Sequence, residues 1–186
     1  MKKSMLMVAF ATAGLLLQWG IPAQAATPAS ATATGGSVFE TMNASIIPES
    51  NIIWKLSGNL YNDKGNLDAK QLSAAQWTQV KNAAVAISSS AKTLVSATAI
   101  KSAPAGVKIQ SEGTSGAFGA AEVQAAINKD LKGFHEHATK LVAVADEIAK
   151  AAGAHDAKKT DDAQSRMTDV CGACHQKFWY PNQPAK

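Results

Sequence analysis

Residues 73–94 read SAAQWTQVKNAAVAISSSAKTL. Trp77, Val80, Ala84, Ile87, Ala91 and Leu94 recur three and four residues apart, the seam of an amphipathic helix packed against others. Ser73 with Gln76 three residues later is a capping-box start. Downstream, Ile127, Leu131, Phe134, Ala138, Leu141, Ala145 and Ile148 repeat at the same spacing, which predicts one long helix ending near Gly153. From about Asp156 to Trp179 a third segment carries Met167, Cys171, Cys174 and Phe178 on one stripe and stops before Pro181. Upstream, Phe39, Met42, Ile46, Ile53, Leu56 and Leu60 share a stripe if a helix runs through Pro48, with Glu49 as the single polar interruption. Pro48 should kink or split that helix. Tyr61–Asp68 reads as a polar loop, and Lys101–Gly119, rich in Gly, Ser and Thr, as a long connection expected to be mobile. Together these segments predict an all-α protein, an antiparallel four-helix bundle over 37–186.

The chain has 186 residues, 46% hydrophobic, 17% charged and 6% aromatic, which suits one ordinary domain and excludes collagen-like or disulfide-dense chains. Its first 25 residues stand apart. Lys2 and Lys3 precede an apolar run from Met5 to Leu17, and Ala23-Gln24-Ala25 is a small-x-small cleavage site. This predicts a secretory signal peptide cleaved after Ala25, periplasmic export and no stable membrane insertion after cleavage, the run being shorter than the roughly 20 residues of a spanning helix. Residues 26–36, rich in Ala, Thr, Ser and Gly, read as a flexible lead-in. The signal holds two of the 18 basic residues, so the remainder carries 16 against 14 acids, a net charge of +2. With no clustered basic face, nucleic acid is not an expected partner.

The chain's two cysteines sit together as Cys171-Gly172-Ala173-Cys174, and His175 follows. Scattered at random, two Cys and four His would form C-x-x-C-H in roughly one chain in several thousand. The pattern has a concrete chemistry: each thiol adds to a haem vinyl group as a thioether, and the adjacent imidazole takes the iron as proximal ligand. On a helix Cys174 lies about 60° from Cys171 in projection and His175 about 40° on the other side, so all three face one way. A Cys171–Cys174 disulfide would leave His175 unexplained and close too short a loop to add much stability. A thioredoxin-like pair normally opens a helix of a βαβ unit, and a zinc site would need further ligands at suitable spacing. One covalent haem c per chain is the expected cofactor.

With that motif near the C-terminus of a predicted bundle, the chain resembles the class II c-type cytochromes, cytochrome c prime and low-spin relatives such as cytochrome c556. The resemblance covers the mature chain in architecture, but only Val170–His175 with Phe178 is motif-specific. It implies either an electron carrier working between redox partner proteins, with a Met from the first helix as distal ligand, or a five-coordinate haem protein that binds diatomic gases such as nitric oxide or carbon monoxide. Relatives often dimerise through the first two helices, which leaves a homodimer open. The longer connection before the third helix, Pro48 and the Phe178-Trp179-Tyr180-Pro181 tail depart from the family pattern.

The sixth iron position separates the two functions. It must come from a helix other than that of His175, which excludes Met167. Met42, on the first stripe and where the resemblance places a ligand, is the candidate, and the plain alternative is core packing. His135 and His137 flank the Phe134 seam as rivals, and His155 reads as solvated. Trp54 and Trp77 read as bundle core. Arg166, the one arginine, reads as an exposed helix residue, with a haem propionate as its alternative partner. No hydrolase elbow, phosphate loop or dinucleotide fingerprint occurs, so the iron rather than a side chain is the expected reactive centre and the chain is not expected to be an enzyme.

Overall fold

The computed structural model describes residues 36–181; the predicted signal peptide, residues 26–35 of the lead-in and the last five residues lie outside them. Among the described residues the regular elements are helical, apart from one isolated bridge between Tyr61 and Leu67. No helix among them is long and apolar enough to cross a membrane.

Helix α1 (Val38–Thr41) starts at a reciprocal capping box. The Ser37 hydroxyl accepts the Glu40 N–H, and the Glu40 carboxylate accepts the Ser37 N–H at 2.7 Å. The chain then runs in helical dihedrals through a π turn, Met42–Ile46, into α2 (Ile47–Gly58). Pro48 lies in the first turn of α2. It has no N–H, and its ring crowds the carbonyl four residues back. The predicted split at Pro48 does not occur; the helix instead widens just before it, with the Ile47 N–H donating to the Met42 carbonyl five residues back.

The wider turn moves the buried stripe. An unbroken α period would put Phe39, Met42 and Ile46 inside. Ser37 (2% exposed), Thr41 (8%) and Ile46 (3%) are inside instead, with Phe39 and Met42 half-buried beside them. Further along, Ile53, Leu56 and Leu60 are buried as predicted, and the polar members of the stripe are Ser50 and Ser57 rather than the half-buried Glu49.

Helix α3 (Ala74–Ser96) has the predicted Ser73/Gln76 capping box and buries every predicted seam residue. Trp77, 2% exposed, anchors the preceding loop by donating from its indole N–H to the Ala69 carbonyl at 3.1 Å.

The long third helix of the prediction is two helices, α4 (Ala120–Lys129) and α5 (Leu131–Gly153). Asp130 breaks them at φ −141° and ψ 61°, and its carboxylate caps α5 by accepting the Gly133 N–H at 2.8 Å. The same carboxylate pairs with Lys177 of α6 (Ala157–Phe178). A Cβ at position 133 would collide with both charged groups, so glycine there makes room for the ion pair. The turn from α5 to α6 spans only residues 154–156, because Asp156 caps α6 by accepting the Lys159 N–H at 3.0 Å.

Helix α3 packs along α5, α5 along α6, and α2 against α3 and more lightly against α6, which closes a helical bundle, with α4 set against α5 and α6. The connection between α3 and α4 is tethered rather than free. Lys101 and Ser102 carbonyls accept the Val38 and Phe39 N–H groups at 2.8 and 2.9 Å, and the Phe118 N–H donates to the Trp179 carbonyl at 2.8 Å.

Candidate functional site

Where α2 and α6 make their light contact, the bundle opens into two adjoining clefts. One lies between α1–α2, α5 and α6; the other lies between α1, the 97–119 connection, α4 and the end of α6. The walls are overwhelmingly apolar, and Met42, Ile47, Phe134, Cys174 and His175 line both clefts. Cys171 lines the first. Cys171, Cys174 and His175 share this face because the helical spacing of three and four brings them to one side of α6.

Both cysteines are free thiols. Burial pushes the Cys171 thiol up and pushes the Cys174 thiol up to about 12, so neither is a reactive thiolate. Burial holds the His175 imidazole below its ordinary range, which leaves it neutral with a lone pair free for a metal. Among the described residues no group of three or more His, Cys, Asp and Glu could hold a bare metal ion. The Cys-Cys-His set faces an apolar cleft and does not converge on a point, a donor arrangement that suits attachment of a flat apolar group better than a tetrahedral ion.

The predicted rivals for the iron separate here. His137 lines the first cleft and meets the Phe178 ring edge-on at 6.0 Å, whereas His135 points its Nε2 to the Ala97 carbonyl at 3.0 Å. His137 is held low chiefly by burial, with Lys140 and Lys177 adding to the effect against Glu136 and Asp130. His155 is exposed as predicted, although it stacks on Trp77 at 5.3 Å. Met167 is fully buried in the core and lines neither cleft. Arg166 is exposed and pairs with Glu147. Trp54 departs from prediction: it is 38% exposed at the rim of the first cleft, its indole N–H donating to the Thr168 hydroxyl at 3.2 Å.

No family model, curated protein or solved structure matches the chain.

Buried polar atoms are nearly always hydrogen-bonded, so those without a partner stand out. Six buried side-chain polar atoms lack one among the described residues, and three of them, Ser50 Oγ, His137 Nδ1 and Trp179 Nε1, belong to residues lining the clefts. The chemistry of these walls, apolar with a few unpaired polar atoms, is of the kind that accepts a flat apolar group with polar groups at its edge. Neither Ser50 nor Trp179 is marked by the sequence pattern. Ser50 reads as an ordinary polar position, and the aromatic tail gives no sign that its Trp179 ring turns back to meet His175 edge-on at 5.2 Å.

Proposed function

We propose that the protein is a periplasmic mono-haem c-type cytochrome that carries single electrons between redox partner proteins. Cys171 and Cys174 hold haem c as thioethers, His175 is the proximal iron ligand and Met42 the distal one. The observation that carries this reading is the meeting of Met42, from the start of the described chain, with Cys171, Cys174 and His175, from its end, on the walls of one apolar cleft. The predicted export signal supports the compartment, since haem attachment to C-x-x-C-H and secretion go together in the family the chain resembles.

Haem bound in the cleft supplies a one-electron iron couple. The chain's own part is to hold and tune it. His175 presents a neutral imidazole, kept so by burial. The Met42 thioether, a soft donor, favours the reduced iron and raises the potential. Its position follows from the π turn: Thr41 takes the inward place, and Met42 is left half-buried on the cleft wall instead of locked in the core. Ile46, Ile47 and Phe134 supply apolar wall to the site.

The test is the visible spectrum of protein exported to the periplasm, oxidised and reduced, with carbon monoxide added to the reduced form, beside a haem stain of the denatured chain. Stain that survives denaturation, sharp reduced bands, the charge-transfer band of methionine ligation and no response to carbon monoxide are expected. Broad high-spin bands that shift with carbon monoxide would overturn the Met42 assignment and make the protein a gas-binding haem protein. A denatured chain without haem stain would overturn the cytochrome reading altogether.

A further inference from the structure

The three described tryptophans use their indole N–H groups differently. Trp54 donates to Thr168 and Trp77 to the Ala69 carbonyl, whereas Trp179 Nε1 is buried without a partner. The position of the Trp179 ring is set from several directions. Its backbone N–H donates to the His175 carbonyl and its carbonyl accepts from Phe118, each at 2.8 Å. Its ring meets His175 edge-on at 5.2 Å and stacks on Tyr180 at 4.6 Å. The Tyr180 hydroxyl in turn donates to Ser111 Oγ at 3.2 Å. The indole is thus fixed on the cleft wall, beside the proximal histidine, with its one polar atom unused.

We infer that Trp179 is a haem-binding residue whose indole N–H donates to a haem propionate. The inference rests on the haem reading above and adds a contact to it. An indole N–H can only donate and cannot ligate iron, so its partner must be an acceptor. The four ring nitrogens of a porphyrin are occupied by the metal, which leaves the propionate carboxylates as the acceptors such a group brings into the cleft. Lys177, which lies over the Phe178 ring, is paired with Asp130. The Trp179 indole is a neutral donor held beside His175 and able to meet a carboxylate there. A hydrogen bond from the indole lowers the negative charge felt by the iron, favours its reduced state and keeps the propionate ionised to lower pH.

The test uses the haem-loaded protein in its reduced, diamagnetic form, labelled with nitrogen-15 at the indoles. The mature chain contains three tryptophans, Trp54, Trp77 and Trp179, and Trp179→Phe assigns the third signal by its loss while keeping an aromatic ring against His175. The Trp179 N–H is expected to exchange at least about tenfold more slowly than a free indole and to shift with pH as a carboxylate titrates. In the haem-loaded form Trp179→Phe is expected to lower the reduction potential, with the pH dependence of the potential displaced upward. With haem covalently present, a Trp179 signal that does not move with pH together with an unchanged potential in the variant would overturn the inference, and would point to a protein acceptor such as the Gln110 amide on the same wall. Wild-type protein without covalent haem would overturn the haem reading and this contact together, an outcome the haem stain identifies before any resonance is measured.

Discussion

The bundle has a closed side and an open side built from the same kinds of residue. Along α3 and α5 the seam shuts completely: Val80, Ala84, Ile87, Ala91, Ala145, Ile148 and Ala152 are all 0% exposed. Along α1–α2 and α6 the facing residues Val38, Met42, Val170, Cys171, Cys174 and Trp179 pack against the core yet stay half-buried. The difference lies in how closely the helices approach. Alanines at 84, 91, 145 and 152 let α3 and α5 approach closely, as ridges fit into grooves. The π turn and the bulky Trp54, Met42 and Trp179 side chains border the wider gap between α1–α2 and α6. Apolar walls that do not meet are costly in water, and that cost is removed when a flat apolar body lies between them.

The largest expected effects separate the two sides cleanly. Replacing both Cys171 and Cys174 with alanine should abolish covalent haem, read as complete loss of haem stain on a denaturing gel. Staining of the double variant would break the assignment of the open side as the haem site. On the closed side, Trp77→Ala should cost about 3–5 kcal/mol, because it empties a fully packed site. Trp54→Ala at the rim should cost far less, about 1 kcal/mol. Urea midpoints of the two variants, each compared with the parent, check the contrast, and equal losses would mean that the rim is as tightly packed as the core.

A methionine pair sharpens the comparison at the next scale. Met42→Leu preserves volume and should cost less than about 1.5 kcal/mol while removing the methionine charge-transfer band and opening the reduced iron to carbon monoxide. Met167→Leu, the same change in the closed core, should leave the spectrum as it was. A Met42→Leu spectrum identical to the parent would assign Met42 to packing alone.

Much of the closed side is legible in the sequence and less of the open side, for a physical reason. Trp77 to Leu94 obey one period from cap to end, and apolar periodicity reports burial whenever a helix is regular and its neighbour is a helix. At the first helix the period changes inside the element. The inward residues Ser37 and Thr41 are small and polar, so the displaced stripe carries no apolar signal, while the outward-shifted Phe39 and Met42 do. At Asp130 the reverse occurs: Ile127 and Phe134 stay buried across the break, and the unbroken spacing hides a change of helix. Asp130 with Gly133 is a start signal, but the surrounding seam outweighs it. The cysteines and His175 are legible because a three-residue chemistry fits within one turn of helix. Met42, His137 and Trp179 reach the same cleft region from three separate segments, and periodicity within one segment cannot show where segments meet.

The smallest effect tests whether the break at Asp130 contributes to holding the end of α6 beside the cleft. The Asp130 carboxyl lies below its ordinary range, first because Lys177 donates to it and then because it accepts the Gly133 N–H. A carboxyl whose folded value is depressed contributes stability above the unfolded aspartate value, about 3.9, and loses that contribution as the pH falls through the folded value. Asp130→Asn keeps a residue able to cap α5 and removes only the charge. The difference in melting temperature between parent and variant should therefore be steady from neutral pH down to about 5 and should shrink below that as the parent's carboxyl protonates. Salt should shrink it too, since both partners are exposed. A difference that persists unchanged into acid would mean that asparagine is simply a poorer cap than aspartate at this helix start. The anchoring of α6 would then rest on Phe178 against Phe134, whose rings meet edge-on at 5.4 Å, rather than on the ion pair.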